Sequence, residues 1–284
     1  MINLAISGAS GLIGSSLTKF FTDMGCPVRQ IKREEFLDGN FDGIDVIIHL
    51  AGSSIAKRWT KKVALEIKKS RVESTEMLVK NLSKLASPPK IFLCASAVGF
   101  YGDTGDLFID ESGEVGGFFL SEVCNAWERA SDSLKERGVR VVHCRFGTVL
   151  SPNGGMLKKI LPLFKKGVGG SLGNGKQYMS WIAIEDVIGA LYHVIQHNEI
   201  EGAINIVSPC PVSNKMFTEL LCKKIGRPVG LHIPVFVLKM LWGRMASEIL
   251  LSSSRIEPKK LVESGYLFKY PDLSSALVKY LSIS

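Results

Sequence analysis

The stretch Ile6-Ser7-Gly8-Ala9-Ser10-Gly11-Leu12-Ile13-Gly14 decides the fold. It follows an apolar run, Ile2–Ser7, and opens a segment of helical period, Leu12–Met24. Gly8 permits a tight turn, Gly11 lets the backbone approach a pyrophosphate, and Gly14 allows close helix packing. The first-turn N–H groups of the helix then meet the phosphates. Three spaced glycines are a weak signal by themselves, and a plain structural turn is the alternative. The strand before and the amphipathic helix after supply the context a dinucleotide loop needs.

The next residues repeat this alternation. Pro27–Lys32, Asp45–Leu50, Lys90–Ala95 and Val139–Phe146 are short apolar runs rich in β-branched residues. Thr60–Leu85 and Leu120–Arg137 carry helical periodicity between them. Continuous apolar strands separated by helices imply a parallel sheet covered on both faces. The expected class is α/β, a doubly wound parallel sheet of Rossmann type with a smaller, mainly helical C-terminal substrate subdomain. Beyond Ser151 the pattern changes: Ser151–Gln177 holds seven glycines around one helical segment, Met156–Lys166. A strand Tyr178–Ile184, a helix Glu185–Gln196 and a strand Ala203–Val207 follow. Three helical patterns close the chain: Ser213–Ile225, Val235–Leu251 and Pro258–Ser264. Residues 1–150 and 178–207 are therefore assigned to the dinucleotide domain, and 151–177 and 208–284 to the smaller subdomain.

Composition excludes several classes. The chain has 284 residues, 46% hydrophobic and 22% charged, which suits one or two packed domains rather than a fibre or a disordered chain. None of the six cysteines forms a C-x-x-C pair, so buried reduced thiols are expected. The first residues lack a basic n-region, and the longest apolar stretch, Leu231 to Trp242, is too short to span a bilayer. A cytoplasmic location with no membrane partner is the expectation. The net charge is +8, with Lys57, Arg58, Lys61, Lys62, Lys68, Lys69 and Arg71 clustered. No aromatic interleaving accompanies them, so a solvated helix face with one or two members turned toward a cofactor phosphate is expected rather than a nucleic-acid patch. His193 and His197 stand four apart without a third ligand, and no metal is expected.

The second strand ends Lys32-Arg33-Glu34, and Arg33 lies 19 residues after Gly14. An acid in that region binds the ribose 2′-hydroxyl of NAD, whereas a guanidinium can pair bidentately with the 2′-phosphate of NADP. The charge favours NADP(H) over NAD(H). The alternatives are solvated charge at both basic positions, or Glu34 on the ribose.

The Gly-x-x-Gly-x-x-Gly spacing resembles the extended branch of the short-chain dehydrogenase/reductase superfamily. So do His49-Leu50-Ala51-Gly52, similar to a segment beside the adenine there, and Ser96-Ala97-Val98-Gly99-Phe100-Tyr101-Gly102, similar to the active-site serine region of sugar-nucleotide epimerases. That superfamily uses a Tyr-x-x-x-Lys pair, the lysine depressing the tyrosine pKa. None of the six tyrosines has a lysine four residues on, and aligning Glu128 puts Leu120 and Cys124 at the two positions. This departure, with Phe119–Glu128, Gly154-Gly155-Met156-Leu157, Gly173–Ile182 and Gly265-Tyr266-Leu267-Phe268, resembles the subgroup of epimerase family proteins that carry a C-terminal domain of unknown function.

The resemblance implies cofactor contacts at Gly8, Ser10, Gly11, Leu12, Ile13, Gly14, Lys32, Arg33, Leu50, Ala51, Gly52, Arg71, Ala95, Arg145 and Thr148. Ser96, Tyr101 and Glu122 are the candidate catalytic groups, and Gln177 and Trp181 the candidate substrate walls. The plain alternatives are a buried structural hydroxyl at Ser96 and Tyr101, a surface charge at Glu122, a helix-face charge at Arg71, and a core indole at Trp181. The leading expectation is an oxidoreductase on an unknown small substrate, monomeric or homodimeric. A nucleotide-sugar epimerase or dehydratase, and a non-catalytic NADPH-binding sensor, are its rivals.

Overall fold

The structure, a computed structural model, describes residues 2–282; the expected domain limits at 1 and 284 lie outside these. Six parallel strands form one sheet in the order β2-β1-β3-β4-β5-β9. They are β1 (Leu4–Ser7), β2 (Val28–Ile31), β3 (Val46–His49), β4 (Ile91–Ala97), β5 (Arg140–Phe146) and β9 (Gly202–Ile206). The order reverses at β1, where the chain first runs outward to β2 and then back across β3. A crevice therefore opens at the carboxyl ends of β1 and β3. β1 and β3 are buried at every position, as two covered faces require.

One face is covered by α1 (Leu12–Asp23) and α6 (Ile184–Gln196). Leu17 and Phe21 of α1 are buried, and Phe20 and Phe21 meet the Tyr192 ring of α6 edge-on at 5.6 and 6.2 Å. The other face carries α2 (Lys61–Lys69), α3 (Val72–Leu82) and α4 (Phe119–Arg129). The Trp127 indole of α4 donates to Thr75 Oγ1 of α3 at 2.9 Å, joining those two helices.

The remaining elements are short strands and the helices of the smaller lobe. β6 (Thr148–Leu150) pairs with β8 (Trp181–Ala183), and β7 (Tyr178–Met179) with β10 (Val212–Ser213). α5 (Gly155–Lys165), α7 (Asn214–Lys224), α8 (Val235–Trp242), α9 (Lys259–Glu263) and α10 (Leu273–Leu281) complete the chain.

Several expected boundaries move. The helix expected over 60–85 breaks at Ser70–Arg71 into α2 and α3. Ser74 and Thr75 donate to the Ser70 and Arg71 carbonyls, both at 2.6 Å, and Ser70 itself bonds to Ser53. Such local side-chain bonds compete with the helical ladder. The strand expected over 178–184 splits at Ser180, whose hydroxyl donates to Ser254 O instead of leaving an unbroken run. The helix expected over Val235–Leu251 breaks at Gly243, which takes φ +57°, and resumes as a short, wider helical turn over Ala246–Leu250. α10 adds an element outside the expectation. Leu273, Ala276, Leu277 and Tyr280 are its buried stripe, and Asp272 caps it at Ser275 N.

Candidate functional site

The glycine loop has little steric slack. Gly8 has φ +72°, a region that L side chains rarely adopt, and a Cβ there would meet the Leu50 backbone at 2.9 Å. A Cβ on Gly14 would lie 2.3 Å from the Gly8 carbonyl oxygen. The loop thus folds on its own backbone and on the end of β3, leaving α1 without a side-chain cap on its first N–H groups. A cradle of bare backbone followed by free helix N–H groups fits a dinucleotide pyrophosphate.

Two cavities flank this loop. The larger, about 760 Å³, lies against Gly8, Ala9 and Ser10, the β2 end Gln30–Glu34, and Ala51–Ser53. Lys32 and Arg33 line it, and Lys62 and Lys69 enter from α2. Glu35 is drawn off this rim: its carboxylate bonds to Arg29 at 2.7 Å and accepts the Lys32 N–H at 2.8 Å. That backbone N–H bond, then Arg29, holds its pKa below the usual range. Glu34 stays on the rim with Glu66, beside four cations. Lys62 and Lys69 are the members of the basic cluster turned toward this cavity, and Lys62, Leu65, Glu66 and Lys69 share one helical face by spacing.

The smaller cavity, about 160 Å³, is apolar. Ile13, Leu50, Ile55, Ala95, Ala97, Leu120, Val123 and Phe146 line it with Ser96, Cys124, Trp127 and Arg71. Arg71 is its cation. The guanidinium donates to the Ile67 and Ser53 carbonyls at 3.3 and 3.1 Å and lies 5.2 Å over the Trp127 ring. Among the described residues no carboxylate pairs with it, and burial lowers its pKa. An unpaired desolvated cation is costly, so a ligand anion or oxygen dipole there would be stabilised. Burial pushes the Cys124 thiol up to about 11, so it is a neutral thiol at pH 7.

Ser96 and Tyr101 are engaged behind this cavity. The Ser96 hydroxyl donates to Glu128 Oε1 at 2.6 Å. Arg145 Nε and Nη2 grip the same carboxylate, each at 2.9 Å. Arg145 Nη1 donates to the Tyr101 hydroxyl at 2.8 Å, and that hydroxyl donates to Asn205 Oδ1 at 2.7 Å. The Arg145 guanidinium also lies 3.5 Å over the Phe100 ring. Burial raises the Tyr101 pKa to about 12, with Arg145 pulling in the opposite direction. This is one buried, fully bonded network (β4, β5 and β9 bring it together in register: Ser96 opposite Arg145, Arg145 opposite Asn205).

The structure redistributes the expected site residues. Gly8, Ser10, Lys32, Arg33, Ala51 and Gly52 line the large cavity, and Ile13, Leu50, Arg71, Ala95 and Ser96 the small one. Gly11 and Gly14 shape the loop between them. Arg145 is not at the cleft surface; its charge is spent on Glu128 in the interior. Trp181 is fully buried and its indole donates to Cys210 O, which makes it core. Gln177 ties loops together through Leu172 O and Leu250 O. Glu122 sits on the exposed side of α4, Leu12 packs on Gly154 and Gly155, and Thr148 lines neither cavity.

The smaller lobe reaches into the site from above. Glu248, with 4% of its side chain exposed, accepts the Phe119 and Leu120 N–H groups at 3.2 and 3.1 Å and pairs with Arg244. It caps the helix whose Leu120 faces the small cavity. Trp59 meets Phe119 edge-on at 5.6 Å on the same side.

The profile of the NAD dependent epimerase/dehydratase family matches residues 4–207. The chain belongs to that family. A domain of unknown function, DUF1731, matches residues 233–279, the part that supplies Glu248. An epimerase family protein of Mycobacterium bovis is 37% identical over 96% of both chains. The human epimerase family protein SDR39U1 is 30% identical over 97% of this chain and 98% of its own. A crystal structure of that human protein (isoform 2) with NADPH superposes with a TM-score of 0.92, at 28% identity over 99% of each chain. A nucleoside-diphosphate sugar epimerase from Corynebacterium glutamicum matches with a TM-score of 0.80 and 34% identity, over all of this chain and 59% of its own. The likeness to these relatives therefore extends across nearly the whole chain.

Proposed function

We propose that the chain binds NADP(H) in preference to NAD(H) and works as an oxidoreductase on a small oxygenated substrate. The observation that carries this reading is the rim of the large cavity. Lys32, Arg33, Lys62 and Lys69 outnumber the two acids on it, Glu34 and Glu66, and Glu35 is tied to Arg29 off the rim. The 2′-phosphate of NADP carries the charge those cations would neutralise. The NADPH in the human relative supports the same preference.

Bound there, the cofactor would supply or accept a hydride at its nicotinamide ring. The chain's own residues bind and orient. Gly8–Gly14 take the pyrophosphate, and Ala51 and Gly52 bound the adenosine side. Arg71 offers donors to a developing oxygen charge. Ser96 and Tyr101 already donate to Glu128 and Asn205, so the proton of the reaction comes from water in this reading. The same two bonds favour the second reading, a non-catalytic NADPH-binding sensor.

Calorimetric titration of the purified chain with NADPH and NADH tests binding. Preference for NADPH by about tenfold or more is expected from one added charge-assisted contact. Equal affinities would remove the preference, and absence of binding would remove the whole reading. Cofactor turnover on a carbonyl panel separates the oxidoreductase from the sensor.

A further inference from the structure

One face of the smaller lobe is apolar and cationic at once. From Arg137 to Ile184, and again from Leu220 to Ser247, the chain has no Asp or Glu. Parts of these stretches run side by side: Gly230 N–H donates to Gly169 O, and Ile233 N–H to Ser171 O. Along the seam Leu231 is 90% exposed and Val168 61%; on α8 Phe236 is 71% exposed and Met240 64%. Val235, Phe236, Lys239 and Met240 form one stripe of α8 facing solvent, while Leu238 is buried. A surface helix ordinarily buries its apolar stripe, so this one lacks a partner. Lys165 and Lys166 are exposed just before Val168, and Lys239 lies inside the stripe.

The charge decides the occupant. A second copy would bring two acid-free cationic faces together. A duplex nucleic acid offers phosphates but keeps its apolar base faces stacked, out of reach of Leu231, Phe236 and Met240 on a surface stripe. An anionic lipid surface offers both headgroup charge and an acyl boundary in which apolar side chains lose contact with water. We propose that this face docks peripherally on an anionic lipid bilayer, with α8 lying in the interface and Lys165, Lys166 and Lys239 among the headgroups. This departs from the expectation of no membrane partner, which rested on the lack of a spanning segment, and it is independent of the cofactor reading.

Co-sedimentation of the full chain with phosphatidylcholine vesicles, with and without phosphatidylglycerol, tests it. Retention on the anionic vesicles only, falling as salt rises, is expected. The pair Lys165→Ala and Lys166→Ala should lower that retention roughly 25-fold, at about fivefold per lysine. Phe236→Glu with Met240→Glu should abolish it, while an unchanged melting temperature shows that these surface variants still fold. Equal retention on neutral vesicles, or none on anionic ones, overturns the proposal. So does a dimer in sedimentation velocity that Phe236→Glu dissociates while vesicles retain nothing. Stronger retention on DNA than on vesicles, insensitive to Phe236→Glu, would assign the face to nucleic acid and equally overturn it.

Discussion

Glu128 can be separated from the chemistry of the cleft by removing it in two ways. Its carboxylate accepts from Ser96 Oγ, Arg145 Nε and Arg145 Nη2, and both charged side chains are at least 92% buried. Glu128→Ala leaves the Arg145 charge facing a void and strands the Ser96 donor. Breaking one half of a buried pair costs about 3–5 kcal/mol. For a chain of this size roughly 2–4 °C accompanies each kcal/mol, so a fall of about 6–20 °C in melting temperature is expected. Arg145→Met alone should cost a similar amount, since it leaves the buried carboxylate with Ser96 as its remaining donor and takes from the Tyr101 hydroxyl the donor it accepts from. Glu128→Leu with Arg145→Met removes both charges and keeps most of the volume. The double variant should therefore be more stable than either single variant, and the coupling between the two sites should be of order 3 kcal/mol or more. Thermal and urea unfolding of the four proteins closes the cycle. Additive losses would refute the pair as a mutually compensated unit, and an unchanged melting temperature for Glu128→Ala would refute the buried geometry itself.

Other outcomes follow from the cleft. Lys32→Ala with Arg33→Ala should weaken NADPH binding by at least tenfold and leave NADH nearly unchanged, by analogy with the loss of one charge-assisted bond of about 1.5–3 kcal/mol; titration with both nucleotides reads this. Tyr101→Phe should lower stability by about 1–3 kcal/mol while leaving NADPH affinity intact, because its hydroxyl serves Arg145 and Asn205 rather than the cleft. Gly14→Ala should abolish cofactor binding, since the new Cβ would fall 2.3 Å from the Gly8 carbonyl oxygen; a nucleotide titration checks it. Burial lowers the His49 pKa to about 4. The unfolded chain takes up that proton near pH ~6.5, so the stability His49 contributes is full above that value and is lost as pH falls toward 4. Urea midpoints at a series of pH values should show this slope, reduced in His49→Gln.

The parallel sheet was legible because its strands are apolar on both faces and its glycine loop occurs in the one context that gives such a motif meaning. Lys32 and Arg33 were legible by their distance from that loop. The fate of Arg145 was not. A basic residue at the carboxyl end of a strand reads as a ligand contact, and only the packing of α4 and of the turn after β4 against β5 encloses it with Glu128 and Tyr101. Trp181 stayed open between two readings, since a polar indole on a strand reads alike in a wall and in a core. The α2–α3 break lay in hydroxyl geometry at Ser70, Ser74 and Thr75, which periodicity does not encode. α10 could have been found from its buried spacing of three and four residues.

The reach of Glu248 onto the first turn of α4 bears on how this chain can be divided. The matched segments at 4–207 and 233–279 look like two modules joined by a linker. Yet the carboxylate that satisfies Phe119 and Leu120 N–H belongs to the second segment, and the helix it completes belongs to the first. Cutting the chain between them would leave α4 starting with open donors beside the small cavity. Grafting the C-terminal segment of a relative would preserve function only if a carboxylate arrived at that same point. The two segments therefore have to be inherited, exchanged or engineered as a matched set.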